Sequence, residues 1–386
     1  MTTITIPDPS WGSDLANIIL DLEKLRTKQL GGNVPPYIFF QLKDLFQILE
    51  TIGSARIEGN NTTLSEYVEK IIEEESPDEQ STEIHNLEEA IDFIEQSVTS
   101  GSLIDRALIS EIHKILTNKL SPPPKGEGSR YPGDLRKNEV TINNSGHKPP
   151  SALVLQEYFN ALIDFINAPH KEQYQLLMVA IAHHRFEHIH PFDNGNGRMG
   201  RLLNYALLIK LGFQVRNGRI LNPSTVFYTD RDRYYDMLSR ADSLSPDDIL
   251  AWCEYFLSGL KNEIEKIDSL LSIAYVREQL LYPMLDLSRE REYITELEYK
   301  VLKYLIQKED MSMKAQELEH FGITASKKKS EVISKLRDKK ILTPIKEGGR
   351  IYTISFVNNY LLRSVMEILN KEGFVSNFLE QNEGNR

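Results

Sequence analysis

Cysteine is almost missing from this chain. Cys253 stands alone in 386 residues, so no internal disulfide can form and the fold does not depend on an oxidising compartment. Its surroundings, Ala251-Trp-Cys-Glu-Tyr-Phe256, read as the packed face of a helix and not as a thiol catalyst. Long apolar runs are missing too. No stretch approaches the ~18 apolar residues of a membrane helix, and the first residues lack the basic segment and apolar core of a signal peptide. The expected address is cytoplasmic, with no membrane partner. Positive charge is in deficit: 45 Lys and Arg face 56 Asp and Glu, a net −11. That argues against a protein that coats nucleic acid or anionic membrane along its whole length, and leaves room for a local basic patch. Internal repeats and low-complexity tracts are absent.

What is present is helical periodicity. Apolar residues recur at three- and four-residue spacing over most of the chain. The spacing predicts helices over 37–57, 64–75, 85–96, 104–116, 154–166, 173–188, 200–211, 231–241 and 247–267. Thr63 and Glu66 suit a capping box at the second of these. Residues 121–150 differ: prolines, glycines and Val140-Thr-Ile142 predict loops around a short β-hairpin. A connector helix is expected over 264–285. Beyond it, helices at 297–307, 313–320 and 326–339 precede two strands at 341–345 and 350–355. The tail after Asn377 is polar and reads as loose.

The densest chemistry lies at His190-Pro-Phe-Asp-Asn-Gly-Asn-Gly-Arg-Met-Gly-Arg201. His190 is a proton acceptor near neutral pH. Gly195 and Gly197 allow positive φ and close approach of backbone to ligand. A glycine-rich loop that opens a helix aims N–H groups and the positive dipole end at an anion. Arg198 and Arg201 share a face of the first turn and can converge on one phosphate chain.

This stretch is similar to the signature of the Fic (filamentation induced by cAMP) family, His-x-Phe-x-(Asp/Glu)-Gly-Asn-Gly-Arg-x-x-Arg. The match is at His190, Phe192, Gly195, Asn196, Gly197, Arg198 and Arg201. The resemblance implies AMP transfer from ATP to a hydroxyl side chain of a target protein, with His190 as general base. Gly195, Asn196 and Gly197 would form the anion nest, Arg198 would contact phosphate, and Arg201 would hold the γ-phosphate. The departure is Asn194, where the family has the carboxylate that coordinates Mg²⁺. Asparagine keeps a carbonyl oxygen and loses the charge, so weaker metal binding is implied. The family's phosphate-transferring branch has lysine at the position of Gly197, which favours nucleotidyl transfer here.

Ser54-Ala-Arg-Ile-Glu-Gly59 resembles the family's (Ser/Thr)-x-x-x-Glu-(Gly/Asn) inhibitory motif. The resemblance implies that Glu58 pairs with Arg201, Ser54 lying beside it on the same helix face, and so excludes a productive γ-phosphate pose. Residues 136–150 resemble the family's flap, on which a target segment docks. Gly146 and His147 at its end, with Tyr235 and Asp242 on a later helix, are the implied adenine contacts.

Residues 311–350 carry ten basic and five acidic side chains, with Lys327, Lys328 and Lys329 opening the third helix of that unit. Helix–helix–helix–hairpin resembles a winged helix-turn-helix domain, so DNA is a second candidate partner. The expected fold is mainly α: a Fic-type helical core with a β-hairpin flap and a C-terminal winged-helix unit. The expected divisions are 1–95 (helical, inhibitory), 96–263 (catalytic), 264–290 (connector), 291–357 (winged helix) and 358–386 (helix and tail). The leading expectation is an autoinhibited adenylyltransferase using ATP and Mg²⁺. The alternative is a DNA-binding regulator whose nucleotide-sensing core turns over poorly. A homodimer is compatible with either, though no segment specifies one.

Overall fold

In the computed structural model, residues 3–27, 33–142, 146–213, 215 and 220–380 are described. Among the described residues, eleven helices build the N-terminal two thirds: α1 (Asp14–Thr27), α2 (Pro36–Ile57), α3 (Leu64–Glu73), α4 (Glu79–Ser97), α5 (Arg106–Leu116), α6 (Leu155–Asn167), α7 (Glu172–Ile189), α8 (Asn196–Lys210), α9 (Thr225–Tyr228), α10 (Arg231–Ala241) and α11 (Pro246–Leu270). α7 is apolar on every side from Leu176 to Ala182, and all of those residues are buried, as a helix without a polar face must be. It forms the axis of the core, flanked by α6, α8 and α11. The Thr63–Glu66 capping box is present at α3. α4 starts six residues before the periodicity suggests, because the Asp78 side chain accepts from the Ser81 N–H at 2.8 Å and caps it. α1, packed on α11, is an element the periodicity did not reveal.

The 121–150 segment departs from expectation. Among its described residues none is in a strand. Its C-terminal half is tied by one side chain: Arg136 donates to the carbonyls of His190 (2.8 Å), Asn138 (3.0 Å) and Pro150. Pro132, Pro149 and Pro150 have no N–H to give a ladder, and a guanidinium occupies carbonyls that a ladder would need.

The connector is broken too. α11 ends at Leu270, and a new helical run passes from α12 (Ile273–Tyr275) through a π-helical stretch (Val276–Leu281) into α13 (Tyr282–Glu290). Pro283 lacks a donor and crowds the preceding turn, a strain that wider π-type turns relieve.

The C-terminal unit holds α14 (Glu296–Gln307), β1 (Ser312–Lys314), a 3₁₀ segment (Ala315–Phe321), α15 (Ser326–Asp338), β2 (Leu342–Pro344) and β3 (Ile351–Ile354). The sheet order is β1-β3-β2, antiparallel, with Met313 opposite Tyr352 and Thr343 opposite Thr353. The expected middle helix is thus a strand followed by a 3₁₀ segment. α16 (Leu361–Lys371) packs on α13, and its Arg363 pairs with Glu69 of α3. The tail is not loose through residue 380: Asn377–Leu379 form a 3₁₀ turn with Leu379 buried, and the Phe378 carbonyl accepts from Arg56 Nε at 3.1 Å. Residues 381–386 lie outside the described residues. No helix among the described residues is long and apolar enough to cross a membrane.

Candidate active site

α7 stops at His190, whose backbone is left-handed at φ 50°. That turn swings the next five residues across the start of α8. Arg136 holds the His190 carbonyl, and the ring Nδ1 lies 3.3 Å from the Glu187 carbonyl. A carbonyl can only accept, so Nδ1 carries the proton and Nε2 carries the lone pair. Burial pushes the imidazole down to about 4, against smaller opposing contributions from the Glu187 carbonyl and Glu58. The ring is therefore neutral at pH 7, as a base must be.

Phe192 is fully buried and stacks on His113 at 3.8 Å between ring centres. Asn196 closes the loop: its amide oxygen accepts from Phe192 N–H (2.8 Å) and its amide nitrogen donates to Phe192 O (2.9 Å). Its side chain is thus a staple, and only its backbone N–H remains for a ligand. Gly195, at φ 77°, is the N-cap of α8, so the backbone N–H groups that begin the helix gather at the loop. His113 accepts from Gly133 N–H at Nδ1 (2.9 Å), which leaves its Nε2–H to donate to Asn194 O (3.0 Å).

Both arginines are buried and both are engaged. Arg201 donates through Nε to Ser54 Oγ (2.8 Å), and through Nη2 to Ser54 O (2.9 Å) and Glu58 Oε1 (2.7 Å). Burial pushes the Glu58 carboxyl up. Arg201, Arg198 and His190 outweigh that and hold it below its ordinary range. Gly197 is needed for this contact: a Cβ there would lie 2.1 Å from Glu58 Oε1. Arg198 is clasped by Glu83 (2.7 Å) and Glu127 (3.0 Å). Arg201 Nη1 and Arg198 Nε are buried without a hydrogen-bond partner, an expensive state in a dry site.

Asn194 donates to Glu127 Oε2 (3.2 Å) and Gly128 O (3.1 Å). Asp193 points elsewhere, accepting from Ser129 Oγ and from Arg130 N–H at 2.9 Å. The carboxylate next to Asn194 is thus Glu127, from a loop 67 residues earlier. Tyr235 is 43% exposed, and its hydroxyl reaches Ile57 O at 3.4 Å. Its neighbour Tyr234 is core, bonded to His183 at 3.0 Å. Asp242 accepts from His184 (3.1 Å) and His188 (3.2 Å). Burial raises its carboxyl, and the two histidines more than reverse that. His147 donates to His188 O at 2.8 Å. Gly146 is exposed, with open space where a Cβ would stand.

The structure therefore gathers Ser54, Glu58, His190, Asn194–Arg198 and Arg201 around one loop, with Tyr235 at its edge beside the end of α2. Glu83, His113, Glu127, Arg136 and Glu187 belong to the same assembly and are not singled out by the sequence. Glu187 is notable because its Oε1 is buried without a partner, against Gly200, where a Cβ would lie 2.2 Å away. Burial first, then the Glu58 charge, push the Glu187 carboxyl up to about 8.

Residues 103–208 match the Fic/DOC family. The chain is 30% identical over 195 residues to a protein adenylyltransferase Fic of Nematostella vectensis, covering 49% of this chain and 42% of that one. It thus spans well under half the length of that curated relative. Among solved structures, it resembles a Fic family protein from Desulfovibrio desulfuricans G20, with a TM-score of 0.57 at 19% identity over 91% of this chain and 98% of that one. A Fic domain containing signaling protein from Bacteroides thetaiotaomicron VPI-5482 follows, with a TM-score of 0.51 at 18% identity over 67% and 97%. These two likenesses establish the fold.

Proposed function

From a chain whose residues 103–208 match the Fic/DOC family, we propose an autoinhibited protein adenylyltransferase that moves AMP from ATP to a hydroxyl side chain of another protein. The observation that carries this reading is the neutral His190 beside a helix N-terminus whose second arginine, Arg201, is held by Glu58 at 2.7 Å. In the reaction, the target hydroxyl oxygen attacks the α-phosphorus and its proton passes to His190 Nε2. The bond from the α-phosphorus to the bridging oxygen breaks, and pyrophosphate leaves with that electron pair. The N–H groups of Gly195, Asn196 and Gly197 receive the phosphate oxygens. The unpartnered Arg201 Nη1 and Arg198 Nε face the charge of the β- and γ-phosphates.

Glu127 offers carboxylate oxygens beside Asn194, whose amide nitrogen faces it in this state, so an oxygen pair for a hard cation that takes most of its ligands from phosphates and water would form once that amide turns over and Arg198 passes from Glu127 to phosphate. Mg²⁺ held there would neutralise phosphate charge during transfer. Glu127 would then supply the carboxylate that position 194 lacks. Tyr235 packs on adenine, with Asp242, His147 and Gly146 around it. Residues 136–150 seat the target segment through backbone groups of the described residues, none of which is in a strand.

The test uses Glu58→Gly with ATP labelled at the α- or the γ-phosphate. Protein-bound α-label without γ-label is expected. Retained γ-label would mean phosphate transfer, and no bound label with ATP still binding would remove the assignment.

Glu187 adds a pH dependence. Its carboxyl is neutral at pH 7 and ionises as pH passes about 8, placing a second negative charge near Glu58. Two carboxylates then share the field of Arg201, and the Glu58 grip weakens. Wild-type transfer is expected to rise roughly threefold or more between pH 7 and 9 relative to Glu187→Gln. Parallel profiles for the two proteins would exclude Glu187 as the cause.

A second role, DNA binding, is favoured by the exposure of Lys327, Lys328, Lys335 and Arg337 on α15 and of Lys346 and Arg350 around the β2–β3 turn. Lys329, Lys339 and Lys340 are instead tied to Glu319, Glu298 and Glu74. Duplex affinity should fall steeply with salt and drop in Lys327→Glu/Lys328→Glu. An unchanged affinity in that variant would leave the unit as a packing module.

A further inference from the structure

His184 and His188 stand four apart on α7 and so share a face. Both reach the same oxygen of Asp242: His184 Nε2 at 3.1 Å and His188 Nδ1 at 3.2 Å. His147 comes in from the far end of the 136–150 loop, its ring centre 3.9 Å from that of His188. One ligand atom each from His147, His188 and Asp242 lie within 4.8 Å of one another. We propose that His147, His188 and Asp242 form a binding site for a borderline divalent transition-metal ion such as Zn²⁺, with His184 supporting Asp242 from the outer side.

Three features carry this. The first is spacing. Ligand bonds of ~2.1 Å in a tetrahedral site put neighbouring donor atoms about 3.4 Å apart; the His188–Asp242 separation is 3.2 Å, and one atom of His147 lies within 4.8 Å of both. The second is chemistry. Two imidazoles and one carboxylate select Zn²⁺, Ni²⁺, Co²⁺ or Cu²⁺ over Mg²⁺ or Ca²⁺. The His147 Nε2–H donates to His188 O at 2.8 Å, the kind of second contact that orients metal-bound histidines. The third is access. The His184 side chain is sealed at 1% exposure, while His188 and Asp242 are 15% and 23% exposed, so the cluster opens to solvent on one side only.

An ion here would tie the loop to α7 and α10. It would also take Asp242 and His147 away from the adenine position, a consequence that rests on the function proposed above. Bound Zn²⁺ is thus an inhibitor distinct from the Glu58 lock, and it acts on the base end of the nucleotide.

The experiment is Co²⁺ titration of tag-free full-length protein, read by the visible d–d absorption of Co²⁺ on nitrogen and oxygen ligands. One equivalent with visible bands is expected, lost in both His147→Ala and His188→Ala, and weakened about 10- to 100-fold in His184→Ala. His147 lies on a half-exposed loop, so its variant guards against an unfolded His188→Ala. Absence of bands, or bands that persist in His147→Ala and in a folded His188→Ala, would overturn the site. ATP is expected to displace the ion. A chain that binds one Co²⁺ through these residues yet transfers no AMP keeps the metal site and loses only the functional reading.

Discussion

Glu58→Gly is expected to raise protein-bound AMP about 10- to 100-fold over wild type. Arg201 meets α2 at three points, and the Glu58 carboxylate is the one that bears charge. A charge-assisted hydrogen bond in a buried site is worth roughly 1.5–3 kcal/mol, and each 1.4 kcal/mol is a factor of ten in an equilibrium. If the open, nucleotide-competent state is disfavoured by that contact, its population grows by the same factor. The variant should leave the fold intact. Glu58 is the C-cap of α2, outside its apolar stripe, and Ser54 still orients Arg201. Space is released as well as charge, because the carboxylate now lies against Gly197, where the proposed function puts phosphate oxygens. Glu58→Gln is expected to give a smaller rise, since an amide still fills the space and can still accept from Arg201. An unchanged wild-type level in Glu58→Gly, with ATP affinity increased, would mean that something other than this contact limits transfer.

The groups behind that prediction are legible in the sequence, and the reason is local. Ser54 and Glu58 are four residues apart on one helix, and His190 to Arg201 form one loop and one turn, so spacing keeps the members of each set together; that Glu58 meets Arg201 comes from the resemblance to the family's inhibitory motif, not from spacing. The rest of the site is assembled from distant pieces. Glu83 meets Arg198 across 115 positions and Glu127 across 71. Glu83 leaves a trace: it sits in the stripe that continues through Leu87, Ala90 and Ile94, all buried, and a charged residue on a core-facing stripe demands a partner. Apolar periodicity alone begins that helix at residue 85, which puts Glu83 outside it and hides the trace. His113 leaves the same kind of trace among Ile109, Ile112 and Leu116 on α5.

Glu127 leaves none. It is a polar residue between two glycines, and only the folded loop brings it to Asn194. The flap fails for a related reason. Val140-Thr-Ile142 has strand composition, yet strand formation needs a partner ladder, and Arg136 diverts the neighbouring carbonyls. Helices survive such ignorance because their hydrogen bonds are internal, whereas strands and polar clusters do not.

His190→Ala, made in the Glu58→Gly background, is expected to lower AMP transfer by at least about 10²-fold, within the 10²–10⁴-fold range typical of a positioned general base. Its nucleotide affinity should stay within about threefold, since the ring is assigned to the hydroxyl proton and the phosphates are assigned to backbone and arginine groups. The split is the diagnostic part: loss of kcat with ATP binding kept marks a base, whereas loss of both marks a collapsed loop. The loop has reasons to persist. Its hold on Arg136 is through the His190 carbonyl, and Phe192 with Asn196 staples the turn independently of the ring. The pH profile supplies a second reading. Burial has moved the imidazole down to about 4 from an ordinary 6.5, so protonation, which removes the acceptor, is complete only below that value. The acidic limb of kcat/KM in Glu58→Gly should therefore lie well below pH 6.5, and below the limb of an exposed histidine. Losing Glu58 strengthens that expectation, because its negative charge now raises the imidazole. A limb at or above pH 6.5 would mean that the ring is solvated during turnover, and a folded His190→Ala that still accumulates α-label would move the base to another residue.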